Sequence, residues 1–127
     1  MTIDENTSAA GQPAVDFEQL RAASGDDNDL LNDLVGLYFG QAADIMTSLR
    51  AALDKHSAAD VDYLSHKLVG ASLACGMTAM VAPLREMEMR GRKGDLTGVE
   101  EFMAQTVVNL ETVRSAVDEY LRSGQTS

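Results

Sequence analysis

From Asp29 to Lys55 apolar residues recur in steps of three and four: Leu31, Leu34, Tyr38, Ala42, Ile45, Leu49 and Leu53. That spacing keeps one face of a 3.6-residue helix apolar, so a long amphipathic helix is predicted there. Gly36 and Gly40 interrupt it and suggest close packing against a neighbour. A shorter helix is predicted before it, over "VDFEQLRAAS" from near Asp16, with "GDDND" as the intervening turn and cap. After "KHSAAD", Ser57 can cap a third helix running from Ala58 to Cys75 and stopping at Gly76. Thr78 can cap a fourth, which reaches Arg90 with Met80, Leu84 and Met87 inward; Pro83 should kink it or mark its start. "GRKGD" reads as a turn. The last helix carries Val99, Phe102, Thr106, Leu110, Val113, Val117 and Tyr120 on one stripe, with Thr97 and Glu100 as a capping box.

No alternating strand pattern appears. Four long helices with short connections bury their stripes most simply side by side. The predicted fold is all-α: an antiparallel up-down four-helix bundle with a short additional N-terminal helix. Residues 1–14 are small, polar and acidic and read as a disordered tail; 15–123 form the bundle, and 124–127 a short tail.

Composition narrows the function. The 127 residues suit one domain, and 45% hydrophobic residues suffice for a core. A net charge of −10 argues against nucleic acid and against an anionic membrane surface. No apolar run is long enough to span a bilayer, and the first residues lack the basic and apolar regions of an export signal. The single cysteine, Cys75, excludes an intramolecular disulfide and fits a reducing compartment. A soluble cytoplasmic protein is expected. No Cys-x-x-Cys pair, phosphate-binding loop or nucleophile elbow occurs.

One histidine stands out. With His66 at zero and about 100° per residue, Val61, Leu64, Leu68, Ala71 and Cys75 fall within roughly 40° of the opposite side and form the core stripe. His66 therefore faces solvent. Tyr63, Val69, Gly70, Leu73 and Met77 lie within roughly 60° of it, and only Asp62 is charged on that face. An exposed imidazole ringed by apolar and small groups describes a docking surface. Side chains lean toward the helix N-terminus, so the residue at i+4 normally covers residue i; Gly70 removes that cover. A solvent-facing imidazole can act as a nucleophile. His56, in a loop, is read as an ordinary surface residue, Ser72 as a small packing group and Cys75 as a buried hydrophobe.

"SHKLVGASLACGM" resembles the signature of histidine phosphotransfer (HPt) domains, commonly His-x-x-Lys-Gly with a further glycine ten residues after the histidine. His66, Gly70, Ser72 and Gly76 match, and "LREMEMRGRKGDL" looks like the family's next helix and turn. The resemblance covers roughly residues 15 to 122 and implies a four-helix bundle. It implies a phosphorelay intermediate that accepts a phosphoryl group on His66 from an aspartyl-phosphate receiver domain and passes it to another. Such a protein is a phosphocarrier rather than a turnover enzyme. The implied partners are receiver domains of a hybrid sensor kinase or a response regulator, met by a monomer through Tyr63, Val69, Leu73 and Met77. It needs no cofactor of its own; Mg²⁺ is expected on the receiver. One position departs from the family: Val69 stands where a lysine is usual. Lys67, about 100° round the helix, is then a candidate phosphoryl stabiliser, as is Arg85 on the next helix. The Met start and polar tails suggest a free-standing module. An adaptor that docks signalling proteins with an idle His66 is the alternative reading, and the dimerisation domain of a sensor kinase a more distant one.

Overall fold

In a computed structural model of the chain, residues 13–123 are described; most of the predicted N-terminal tail and all of the C-terminal one lie outside them. Five α-helices follow in order: α1 Phe17–Ser24, α2 Asn28–Asp54, α3 Ala58–Cys75, α4 Val81–Lys93 and α5 Val99–Arg122, with a one-turn 3-10 helix at Thr78–Met80 before α4. The long helices α2 to α5 run up and down in turn. Their register is set by side chains: Arg50 on α2 meets Glu100 on α5, and Arg114 on α5 lies over Phe39 on α2. The predicted bundle with an extra N-terminal helix is the one found.

The core lies along the bundle axis and takes Leu31, Leu49, Leu68, Met80, Leu84, Met87, Val113 and Val117, all fully buried. Tyr38 on α2 hydrogen-bonds across it to Ser72 on α3, hydroxyl to hydroxyl at 2.7 Å. A buried bond of this kind contributes about 1 kcal/mol and fixes how the two helices face each other. Burial pushes the Tyr38 phenol up to about 12, against the opposing effect of the Ser72 bond.

The helix ends follow the local sequence, with several departures. Asp16 caps α1 through Gln19 N–H, and Asp27 caps α2 through the N–H groups of Asp29 and Leu30. Ser57 stands at the N-cap of α3 but makes no side-chain cap bond. Thr78 does not cap α4: it starts the 3-10 turn, whose apolar residues are pulled into the core. Pro83 sits in the first turn of α4, where a missing N–H costs nothing. The expected capping box on α5 is absent. Gly98, at φ 77°, holds the N-cap, and the Glu100 carboxylate pairs with Arg50 instead, which holds it below its ordinary carboxylate range. His56 is exposed and has φ 55°, a left-handed position after α2 that usually goes to glycine.

α1 closes one end of the bundle. The segment before it is tied down: Ala14, expected as the end of the tail, is buried with Val15, and the Ala14 carbonyl accepts from Ala79 N–H at 2.9 Å. Asp16 N–H donates to the Gly76 carbonyl at 2.7 Å, and Phe17 stacks on Tyr120 with ring centroids 4.0 Å apart. Gly76 is required twice over. Its φ of 74° ends α3, and a side chain there would run into the Asp16 carbonyl.

A second close approach joins α3 to α4. The expected turn at Gly91 is not a turn: Gly91 lies inside α4, which continues to Lys93 and stops at Gly94. A Cβ at Gly91 would come within 2.6 Å of Asp62 N and 2.7 Å of the Ala58 carbonyl oxygen. Glycine therefore lets the two backbones touch. Gly36 and Gly40 do the opposite of what was expected; nothing lies within 4 Å of a Cβ built on either. Gly91→Ala should lower the unfolding free energy by about 1–3 kcal/mol, as overpacking against fixed backbone does. Gly40→Ala should raise it by about 0.5–1 kcal/mol through helix propensity. Urea unfolding of the two variants checks both signs.

Candidate functional site

α3 and α4 share the most extensive contact of any helix pair, and at Gly91 the α4 backbone lies directly against α3 at Asp62 and Ala58. One turn along from that point, in opposite directions on the antiparallel helices, stand His66 and Glu88. His66 Nδ1 lies 2.6 Å from Glu88 Oε2. The two side chains differ sharply in exposure: the imidazole is 73% accessible, the carboxylate 9%. The ring thus projects into solvent while its inner nitrogen is held by a buried anion.

A buried carboxylate is costly unless its oxygens are satisfied. Oε2 of Glu88 accepts a second bond from Arg92 Nη2 at 3.0 Å, one helical turn further on. Arg92 also stands 3.6 Å from Asp62 Oδ1 on α3. Four residues from two helices thereby form one chain: His66, Glu88, Arg92 and Asp62.

The carboxylate can only accept, so the hydrogen on Nδ1 points at Glu88. In the neutral ring this leaves Nε2 with its lone pair free and directed outward. An exposed sp² nitrogen on a ring of fixed orientation can attack an electrophile brought by another molecule. If Nε2 becomes bonded and the ring acquires positive charge, Glu88 is placed to stabilise it.

The residues expected around His66 divide. Tyr63 and Leu73 are exposed, at 64% and 51%, as a docking surface requires. Gly70 is exposed and a Cβ there would meet nothing within 4 Å, so the space beside the imidazole is open. Lys67 is exposed and makes no ion pair among the described residues. Val69 and Met77 are not part of this surface; both are buried, Met77 fully. For Met77 the reason is the left-handed turn at Gly76, which ends the helix and folds the next residue under the bundle. For Val69 the reason is that the buried arc of α3 is centred nearer to it than the aliphatic residues alone suggest. Ser65 and Ser72 are both fully buried and extend that arc toward α4. Cys75 is buried as expected, and burial raises its thiol above the ordinary range, which disfavours the thiolate.

Glu88 and Arg92 were not anticipated. In "LREMEMRGRKGDL" Glu88 looks like a solvated helix charge and Arg92 like part of the turn. The cue was Gly91: read as helix interior, it places a close helix contact one turn from Glu88. No group of three or more His, Cys, Asp or Glu residues suited to a metal ion occurs among the described residues. No helix among them is long and apolar enough to cross a membrane.

If Glu88 fixes the ring, its removal should change the ring's proton position. In the wild type the ring ¹⁵N shifts of His66 should report hydrogen on Nδ1. In Glu88→Ala they should move toward the Nε2–H form that free imidazoles favour, with the fold intact by circular dichroism.

Comparison with known proteins gives three results. No curated protein matches the sequence. Among solved structures, histidine-containing phosphotransfer protein B (HptB) from Pseudomonas aeruginosa PAO1 superposes with a TM-score of 0.81, covering 91% of this chain and 98% of that one. At 22% identity that likeness is one of fold. The family model of the Hpt domain matches residues 33–122, a span that includes α3, α4 and the histidine between them and solvent. The chain belongs to the Hpt domain family, whose members relay phosphoryl groups by histidine phosphotransfer.

Proposed function

We propose that this chain carries a phosphoryl group on Nε2 of His66, taking it from the aspartyl-phosphate of one receiver domain and passing it to the aspartate of another. The observation that carries the reading is the exposed imidazole whose Nδ1 is bound by the buried carboxylate of Glu88.

The chemistry balances without any added reagent. The Nε2 lone pair attacks phosphorus, the P–O bond to the aspartyl group breaks, and the aspartate leaves as a carboxylate. No proton need move: the Nδ1 hydrogen stays between His66 and Glu88. The ring ends with the positive charge, next to the Glu88 carboxylate. The reverse reaction retraces the same atoms, so the residue can receive and donate. Transfer of this kind depends on alignment and charge stabilisation more than on covalent catalysis. The bundle supplies alignment. Stabilisation of the charge on the transferring phosphoryl would come largely from the receiver and its Mg²⁺.

The receiver would dock over Tyr63, Leu73 and the opening at Gly70. Candidate partners are the receiver domain of a hybrid sensor kinase and that of a response regulator, with this chain acting as a monomer. A receiver's pocket is itself acidic, and this chain carries −10, so apolar contact should dominate the affinity. The adaptor reading, with an idle histidine, leaves the Glu88 contact without a purpose.

Incubated with a phosphorylated cognate receiver, the protein should acquire an acid-labile, alkali-stable label that His66→Gln abolishes. A label that survives this substitution, or no label with any receiver of the source organism, would overturn the proposal. Receiver affinity should change little as salt is raised; a steep fall would show that charge pairs, not Tyr63 and Leu73, hold the complex.

A further inference from the structure

The family's usual lysine beside the histidine is absent, and the residue in its place, Val69, is buried. Three cations remain nearby: Lys67, Arg85 and Arg92. We propose that Arg92 is the group that binds the phosphoryl oxygens on His66, and that Asp62 holds it in waiting while the histidine is unmodified. This rests on His66 being the phosphorylated residue.

Arg92 and His66 share one oxygen, Oε2 of Glu88, at 3.0 and 2.6 Å. Helix side chains lean toward the N-terminus of their own helix. α3 and α4 are antiparallel, so that lean carries His66 toward the level of Asp62 and carries Arg92 toward Glu88 and His66. The two converge. The same rule carries Arg85, one turn before Glu88, away from His66. Lys67 sits about 100° round α3 from His66, on the flank opposite to Asp62 and α4. Neither Lys67 nor Arg85 has a hydrogen-bonding or ion-pair partner among the described residues that would hold it near the ring.

The partners of Arg92 are unequal. Its bond to Glu88 is of hydrogen-bond length, whereas Asp62 stands off at 3.6 Å and is partly exposed. A phosphoryl group brings nearly two negative charges and three acceptor oxygens, and the guanidinium fork suits such a group. When phosphate arrives on Nε2, Arg92 keeps Glu88 and exchanges Asp62 for a phosphoryl oxygen. Asp62 then competes with the phosphoryl group for the same cation, which lowers the affinity of His66 for phosphate and helps it to leave.

The test is the equilibrium fraction of phosphorylated protein in the presence of a phosphorylated receiver. Arg92→Gln should lower the ratio of phosphorylated to free protein about threefold, the effect expected of one largely exposed ion pair, and Arg92→Lys should recover part of it. Asp62→Asn should raise the ratio by about twofold to threefold on the same grounds. Lys67→Gln and Arg85→Gln should leave it unchanged. Ring ¹⁵N shifts of unphosphorylated Arg92→Gln should still report hydrogen on Nδ1, because the glutamine amide can donate to Glu88 in place of the guanidinium, which separates contact with phosphate from loss of the Glu88 hold. An unchanged ratio in Arg92→Gln, a fall in Lys67→Gln or Arg85→Gln in its place, or loss of the Nδ1 hydrogen in Arg92→Gln would each overturn the assignment to Arg92. An unchanged or lowered ratio in Asp62→Asn would overturn the waiting role. Wild-type protein that takes no label at all would instead remove the reading of His66 on which this inference stands.

Discussion

Nδ1 of His66 can rest 2.6 Å from Oε2 of Glu88 only because two helix backbones come into contact one turn away. A side chain at Gly91 would clash with the backbone at Asp62 and Ala58 and push α4 off α3. Burial strengthens the contact, since a charge-assisted hydrogen bond gains from a low local dielectric. Burial also makes it costly if incomplete. Arg92 meets that cost by sharing the same carboxylate oxygen. The site is therefore one unit, in which a backbone contact places an anion, the anion fixes a ring, and a cation offsets the burial of the anion.

Three glycines divide the labour around that unit. Gly91 permits contact, Gly76 permits a reversal of the chain against Asp16, and Gly70 leaves a gap. The first two work by closeness and the third by emptiness. Rigidity comes from elsewhere: the Tyr38–Ser72 bond through the core, the Arg50–Glu100 pair along the flank, and the α1 segment clamped over the end of α3. A group that must meet a partner's reacting phosphorus in line gains from such rigidity, because little alignment is left to be paid for on encounter.

Much of this was legible in the order of residues. The three-and-four spacing located α2, and the limits of α3 followed from Ser57 and Gly76, because helix stops are local events. The outward direction of His66 followed from angle alone. What failed needed knowledge of neighbours. Buried serines at 65 and 72 turned the inner face of α3 toward Val69, and nothing local distinguishes a buried serine from an exposed one. Gly91 inside a helix and Gly94 after it look alike in "GRKGD". Glu88 looks like any surface glutamate until α3 is packed against it. Thr97 and Glu100 carry a proper capping pattern, yet Arg50 on a distant helix takes the carboxylate.

The hold of Glu88 on Nδ1 decides which nitrogen of His66 bears phosphorus. Phosphorylated protein carrying ¹⁵N in its histidine rings answers this through the coupling between ³¹P and the bonded nitrogen. Coupling to Nε2 of His66, with a proton retained on Nδ1, is the outcome required by the hold of Glu88. Coupling to Nδ1, or to either nitrogen of His56, would contradict it.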